Sequence, residues 1–201
     1  WKTRRALGIC AGDVWYYAVH MGWWKDEEEP FADQWNILAA AAGAKPLAFL
    51  LGDFNSEADV RGEGYDLILR SGWQDTYRLA RQRDDGYTVV QAIDGWRDAP
   101  DAAAKKRIDQ IWCSQAVPVH SSRVVFGGKQ EPRVSDHAGV LIEVERKEGN
   151  QETCREVQAF YCPSAVCRPH MALAAFRRKH TILWTGSKRP DRLIGRSCRW
   201  V

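Results

Sequence analysis

The segment Leu51–Asn55, with the sequence LGDFN, places two polar side chains at the end of the apolar run Pro46–Leu51. The run is typical of a buried strand, and in a strand residues i and i+2 lie on the same face. We therefore expect the Asp53 carboxylate and the Asn55 carboxamide to project together from a rigid sheet edge, where they would suit a metal ion and a phosphate group. The alternative is a strand end at which both side chains cap a turn.

Two later segments also place carboxylates in or beside short apolar stretches: RIDQIW at Arg107–Trp112 and VSDHAGV at Val134–Val140. An ionised Asp is rarely buried unless it is paired or bound to a cation, so we expect Asp53, Asp109 and Asp136 to share a partner. Oxygen ligands without a Cys/His cluster favour Mg²⁺ or Mn²⁺ over zinc.

The order GDFN, RIDxIW and SDH resembles the endonuclease/exonuclease/phosphatase superfamily, the metal-dependent phosphoesterases related to DNase I. His20, at the end of the apolar run Val14–Val19, fits the same order, since many members carry a His there. The resemblance covers about residues 1–145. It implies an α/β fold of the α+β type, a DNase I-like sandwich of two β-sheets flanked by helices.

Three stretches between the motifs resemble the bacterial branch of the superfamily typified by maltose 6′-phosphate phosphatase: His20–Phe31, Gly62–Ala80 and Ile93–Asp98. This likeness implies hydrolysis of a phosphate monoester, with a phosphorylated sugar as the small-molecule substrate. The alternatives are a phosphodiesterase, either a nuclease or a sphingomyelinase-like enzyme, and a catalytically inactive fragment.

The resemblance also implies roles for the acidic residues, because phosphate ester hydrolysis needs an aimed hydroxide, positive charge and a proton for the leaving group. Asp53 would bind or orient the attacking water and, with Asp136, would hold the metal ion. Asn55 would hold a phosphoryl oxygen or that water.

The two His residues of the motifs would supply the remaining groups. His137 would face the phosphoryl group as a base or charge stabiliser, and its other ring nitrogen would bond to Asp109, which fixes the tautomer. His20 would lie across the phosphate as an acid or oxyanion donor.

Trp24, Trp96 and Lys25 are candidate substrate-binding residues. An indole offers a flat apolar face to a sugar ring, and Lys25 would add charge beside it. Core packing is the alternative role for both Trp residues. It is the role we expect for Trp73, which follows the apolar face of a predicted helix.

The net charge of +3 averages two unlike parts of the chain. Residues 1–148 hold 19 Lys and Arg against 23 Asp and Glu, whereas residues 149–201 hold 10 against 3. Nucleic-acid binding draws its affinity from basic residues, so an acidic body argues against a nucleic-acid partner. No apolar run approaches the roughly 18 residues of a membrane span, and no leader pattern opens the chain. We therefore expect a cytoplasmic protein without a membrane partner.

Periodicity predicts the main helix and the strands around it. Apolar residues at i, i+4, i+7 and i+11 predict a helix that begins at Pro30 and ends at Ala42, with Gly43 as its stop. A second helix is expected at Tyr65–Arg70, and a further helical turn or two at Asp75–Arg81. Strands are expected at Val14–His20, Pro46–Leu51, Lys106–Cys113, Arg123–Phe126 and Ala138–Glu145, with a short one at Tyr87–Ala92 inside a long loop.

Both ends of the chain depart from the superfamily pattern. Members carry an Asn on an early strand and a metal-binding Glu on the next, and nothing before His20 supplies either residue. We therefore hypothesise that the domain, at residues 1–147, is N-terminally truncated and lacks its first strands. Residues 148–201 show no sustained period, and we expect no strand there. We interpret them as a tail of doubtful structure, which translation out of frame would explain.

Overall fold

A computed structural model describes residues 6–91 and 105–145, together with the strands at residues 157–159, 174–176 and 179–184. The helices are α1 (Phe31–Gly43), α2 (Gly64–Arg70) and α3 (Thr76–Leu79). The strands are β1 (Ala6–Ala11), β2 (Val14–His20), β3 (Leu47–Asp53), β4 (Gln74–Asp75), β5 (Gln82–Arg83), β6 (Asp109–Cys113), β7 (Val119–Val125), β8 (Gly139–Val144), β9 (Val157–Ala159), β10 (Ala174–Phe176) and β11 (Lys179–Trp184).

The strands form two mixed sheets that pack face to face. The first sheet has the order β4-β6-β3-β2-β1-β9, and the second has the order β10-β11-β8-β7-β5. Helices α1 and α2 cover the outer face of the first sheet, and β7 and β8 of the second sheet cover its inner face. The predicted α+β sandwich of two sheets flanked by helices is confirmed.

Strand β2 shows why the central strands of the first sheet have continuous apolar runs in their sequence. Side chains in a strand alternate between its faces, and in β2 both faces are covered. Its odd-numbered residues pack under the helices, and its even-numbered residues pack against the second sheet. Strand β3 behaves in the same way, with Leu50 under the helices and Phe49 and Leu51 between the sheets. A sheet buried on both faces needs apolar residues at successive positions.

Helix α1 has the predicted apolar face. Phe31, Trp35, Leu38 and Ala42 are all at most 2% exposed, and they lie in the cluster between the helix and the first sheet. Pro30 occupies the N-cap position, so the helix begins one residue later than predicted. The predicted core role of Trp73 is confirmed, since its ring packs edge-on against Trp35 at 5.8 Å between centroids.

The short strand predicted at Tyr87–Ala92 does not form in the part that the structure describes, and Ala92 itself lies outside the described residues. Only one isolated antiparallel bridge occurs there, between Val89 and Lys106. Gly86, with a φ of 73°, turns the chain immediately before the segment. The segment therefore meets its neighbour at a single point rather than along a ladder. Strand β1 is a further element that we did not predict.

The expectation that residues 148–201 contain no strand is wrong. β9 pairs with β1 at the edge of the first sheet, and β11 pairs with β8 and with β10 in the second. Strand pairing uses backbone hydrogen bonds that an open sheet edge offers to any extended segment, so a weak side-chain period does not exclude it. The domain boundary at residue 147 stays a prediction. None of the helices in the described ranges is long and apolar enough to cross a bilayer.

Candidate active site

Three of the candidate side chains form a row across the first sheet. The parallel pair β2 and β3 aligns His20 with Asp53, and the antiparallel pair β3 and β6 aligns Asp53 with Asp109. Asp53 follows Phe49 and Leu51 at intervals of two, so it lies on the face that meets the second sheet. His20 Nε2 is 3.6 Å from Asp53 Oδ2. The row therefore lies at the end of the sandwich where β2 and β3 end.

His137 approaches this row from the second sheet. It precedes β8 by two residues, and the neighbouring Ala138 N–H donates to the Thr88 carbonyl at 2.8 Å. His137 Nδ1 lies 2.8 Å from Asp109 Oδ2, and the side chains are 5% and 0% exposed. The expected hydrogen bond between these two residues is therefore present, and it joins the two sheets beside Asp53.

The environment of His137 favours the imidazolium form. Burial alone would lower the pKa of the ring, but the hydrogen bond to Asp109 and the charges of Asp109, Asp53 and Asp136 together raise it to about 9. With Nδ1 held by Asp109, Nε2 remains to meet a reactant. Among the described residues, the buried Nε2 has no hydrogen-bond partner. A buried donor without a partner costs about 1–3 kcal/mol, which is typical of a site that receives a ligand.

The donor atoms at this centre fit a divalent cation. One oxygen or nitrogen atom each from Asp53, Asp109 and His137 lies within 4.8 Å of the others, and all three residues are buried. A protonated His137 ring has no lone pair for a metal ion, so the two carboxylates are the ligands that a cation would use. Their mutual repulsion is offset by the His137 ring at Asp109 and would be offset further by a metal ion. Carboxylate oxygens are the ligands that Mg²⁺ and Mn²⁺ prefer. We call these three residues with His20 the acidic centre.

A solved structure supplies the comparison that decides the family. It is an endonuclease/exonuclease/phosphatase family protein from Leptotrichia buccalis C-1013-b, 33% identical to this chain, with a TM-score of 0.56. The match covers 67% of this chain and 49% of that one. The chain belongs to the endonuclease/exonuclease/phosphatase superfamily. It spans about half the length of this relative.

Two other solved structures are similar with TM-scores below 0.5, so they add nothing to the superfamily assignment and select no substrate. One is the mannosyl-6-phosphatase Bt3783 of Bacteroides thetaiotaomicron, at 22% identity over 65% of this chain and 51% of that chain, with a TM-score of 0.45. The other is the 3′ phosphatase NExo from Neisseria, at 21% identity over 68% and 63%, with a TM-score of 0.48. No family model matches the chain, and no curated protein matches it.

Asn55 lies beside the acidic centre by a different geometry from the one we expected. Strand β3 ends at Asp53, and Asn55 has a left-handed backbone with a φ of 47°, so the two residues do not share a strand face. The Asn55 N–H donates to Asp53 Oδ1 at 2.8 Å, which is the turn-capping alternative. Its side-chain Nδ2 donates to the Met21 carbonyl at 2.9 Å, just beyond the end of β2. The turn after Asp53 therefore places Asn55 beside the row of His20, Asp53 and Asp109.

Asp136, the second metal ligand expected from the superfamily resemblance, lies outside the group of three close donors. It is half-buried before β8, where the Ser135 hydroxyl donates to its Oδ1 at 3.0 Å. Its charge nevertheless helps to raise the pKa of His137. Its role as a ligand stays a prediction.

Two of the three predicted substrate-binding residues lie within the described part of the chain, and both follow β2. Trp24 is half-buried, with its ring centroid 5.9 Å from that of Phe31, which supports the core-packing alternative. Lys25 is exposed in the turn between β2 and α1. Trp96 lies outside the described residues. The neighbouring Trp23, which we did not predict, is 48% exposed and is the more accessible indole of this turn.

Thr88 is a supporting residue that the sequence did not reveal. Its hydroxyl accepts from the Asp109 N–H at 3.3 Å, and its carbonyl accepts from Ala138, next to His137. It is 1% exposed. Thr88 therefore links the two segments that carry the Asp109–His137 pair. Only the tertiary pairing of distant segments shows this contact.

Proposed function

We propose that this protein hydrolyses phosphate monoesters with the help of Mg²⁺ or Mn²⁺, and that its substrate is a phosphorylated sugar. One observation carries the proposal: the row of His20, Asp53 and Asp109, closed from the second sheet by His137, in a chain of this superfamily. Such a cluster of buried titratable groups at the end of a sandwich is typical of a catalytic centre.

The residues of the acidic centre and Asp136 would each have a separate role in phosphate ester hydrolysis. Asp53, with Asp136 or Asp109, would hold the cation, which when bound supplies positive charge for the developing oxyanions and lowers the pKa of a bound water. Asp109 fixes the ring of His137 so that its Nε2–H donates to a phosphoryl oxygen. His137 would act there as a charge stabiliser or as a base, the two roles expected for it.

His20 and Asn55 complete the proposed arrangement. His20 Nε2 is 3.6 Å from Asp53 Oδ2, and its side chain is 40% exposed, so it is reachable by an incoming ester. It would donate a proton or a hydrogen bond to the leaving group. Asn55, held in its turn by Asp53 and by the Met21 carbonyl, would position a phosphoryl oxygen.

The net negative charge of residues 1–148 supports a small substrate. Residues 1–148 carry more acidic than basic side chains, whereas nucleases bind the phosphate backbone through clustered Lys and Arg. A small phosphate ester held by a metal ion needs no such surface. The resemblance of three sequence stretches to the maltose 6′-phosphate phosphatase branch supports a sugar as the alcohol.

The test is a substrate panel with matched variants. Phosphate release from maltose 6′-phosphate, cleavage of plasmid DNA and hydrolysis of sphingomyelin are measured with Mg²⁺ and with EDTA. We expect Mg²⁺-dependent release of phosphate from maltose 6′-phosphate. The rate of this release should fall by about 10²–10⁴-fold in Asp53→Ala and His137→Ala. The exposed helix residue variant Asp33→Asn is the control and should retain activity. Cleavage of DNA or sphingomyelin alone would replace the sugar phosphatase proposal by a phosphodiesterase, and no hydrolysis of any of the three substrates would favour the catalytically inactive fragment.

A further inference from the structure

A cavity of about 460 Å³ lies beside the second helix, and none of the residues assigned to the acidic centre lines it. Its walls carry four arginines, three tyrosines and two aspartates. The volume falls within the range of about 300–1,000 Å³ that is typical of small-molecule sites and exceeds what a lone phosphate ion fills. We call it the arginine–tyrosine cavity.

The floor of the cavity is a rigid, internally neutralised platform. Arg107 Nη2 lies 2.8 Å from Asp75 Oδ2 and donates to the Tyr65 hydroxyl at 3.2 Å. The guanidinium carbon is 5.4 Å from the ring centroid of Tyr65 and 4.5 Å from that of Tyr77. The Asp75 carboxylate thus neutralises the charge of Arg107. The floor therefore adds no net charge to the cavity, and its Tyr65 ring is only 2% exposed.

The rim of the cavity holds positive charge that is not neutralised as that of Arg107 is. Arg78 and Arg83 are exposed. Arg78 has no hydrogen bond or ion pair within the part of the chain that the structure describes. Arg83 stacks over the ring of Tyr77 at 5.2 Å, which holds its guanidinium at the cavity mouth. Two guanidinium groups at the mouth of one cavity, in a body with an excess of acidic residues, favour an anion there.

The remaining polar groups favour hydroxyls on the same ligand. Asp59 and Asp85 line the cavity, and carboxylates accept hydrogen bonds from alcohols. Asp85 also accepts from the Tyr87 N–H at 3.3 Å, and its Oδ2 lies 3.8 Å from Lys129 Nζ. Tyr87 also lines the wall, and the Lys105 ammonium lies 5.8 Å from its ring centroid, which adds a further cation beside the cavity. Arginines for an anion and aspartates for hydroxyls together match a phosphorylated carbohydrate.

We propose that the arginine–tyrosine cavity is a second binding site, separate from the acidic centre, for a sugar phosphate. Arg78 and Arg83 bind the phosphate group, and Asp59 and Asp85 bind hydroxyl groups of the ring. Binding at this cavity requires no metal ion and no hydrolysis, so the proposal stands or falls independently of the proposed catalytic function.

The experiment is isothermal titration of the full chain in EDTA with glucose 6-phosphate as the probe. EDTA removes the divalent ions through which the acidic centre would hold phosphate. The test variant is the double substitution Arg78→Ala/Arg83→Ala, whose two sites are exposed. Arg70→Ala is the matched control, because Arg70 is an exposed arginine on α2 that does not line the cavity. Asp53→Ala tests the separation from the acidic centre.

We expect binding of glucose 6-phosphate to the unaltered chain, weakened by roughly tenfold or more in the double variant, since each charge-assisted hydrogen bond contributes more than a neutral one. Arg70→Ala and Asp53→Ala should bind as the unaltered chain does. Glucose and inorganic phosphate, titrated separately, should each bind more weakly than the joined molecule. Absence of binding, equal binding by the double variant, loss of binding in Asp53→Ala, or equal affinity for inorganic phosphate would each overturn the proposal.

Discussion

Gly52, the glycine of the LGDFN segment, is required by the backbone that presents Asp53. It has a φ of 150°, and a Cβ added there would lie 2.9 Å from the Val19 carbonyl carbon and closer still to its oxygen. Val19 is the register partner of Gly52 in the parallel pair β2 and β3, directly before the His20–Asp53 pair. A side chain at this position must therefore push apart the two strands that carry these catalytic candidates.

The substitution Gly52→Ala has a cost that can be worked out from these contacts. An L-residue at this φ costs about 1–3 kcal/mol, and a weakened backbone hydrogen bond beside it about 0.5–1.5 kcal/mol more. We expect the free energy of unfolding to fall by about 2–4 kcal/mol, out of the roughly 5–15 kcal/mol of an ordinary domain.

Urea denaturation of Gly52→Ala measures this loss, and Gly43→Ala is its control. Gly43 ends α1 with nothing within 4 Å of an added Cβ, so replacing it should change the unfolding free energy by less than about 1 kcal/mol, and in the stabilising direction. A loss below about 1 kcal/mol in Gly52→Ala would refute the close approach of β2 and β3 at this point.

Two further predictions concern the buried charges. Asp75→Asn leaves the Arg107 guanidinium, 9% exposed, without its charged partner, so we expect urea denaturation to show a loss of about 3–5 kcal/mol; a loss below about 1 kcal/mol would contradict the buried pair. In the metal-free protein His137 has a folded-state pKa of about 9, above its unfolded value of 6.5, so its contribution to stability is complete below pH 6.5 and disappears as the pH rises through 9. Thermal unfolding in EDTA should therefore show stability falling between pH 7 and 9 in the unaltered chain and falling less in Asp109→Asn, which lacks the charged partner; identical pH profiles for the two proteins would show that Asp109 does not set this pKa.

Local patterns were sufficient to predict the parts of the fold that depend on neighbouring residues. The apolar face of α1 follows from helical spacing alone, and β2 and β3 follow from their apolar runs. These predictions required no knowledge of how distant segments pair. The grouping of Asp53, Asp109 and His137 in one centre came instead from the resemblance of three short motifs to the superfamily, whose fold brings those distant segments together.

The features that were missed depend on pairing between distant segments or on a single backbone angle. The alignment of His20, Asp53 and Asp109 in one row requires the registers of two strand pairs, which no local pattern encodes. The left-handed turn at Asn55 depends on hydrogen bonds to Asp53 and to a carbonyl at the end of another strand. The strands after residue 145 show no sustained period in the sequence, and only their pairing with β1 and β8 reveals them.

Binding of Mn²⁺ tests the central claim most directly, because the acidic centre should hold a divalent cation whatever the substrate. Electron paramagnetic resonance follows the signal of free Mn²⁺ as the chain is added. We expect the unaltered chain and Asp33→Asn to reduce the free signal, and the double variant Asp53→Ala/Asp109→Ala to leave it unchanged at the same concentrations. Equal Mn²⁺ binding by the double variant and by the unaltered chain would contradict the assignment of these residues to a metal-dependent centre.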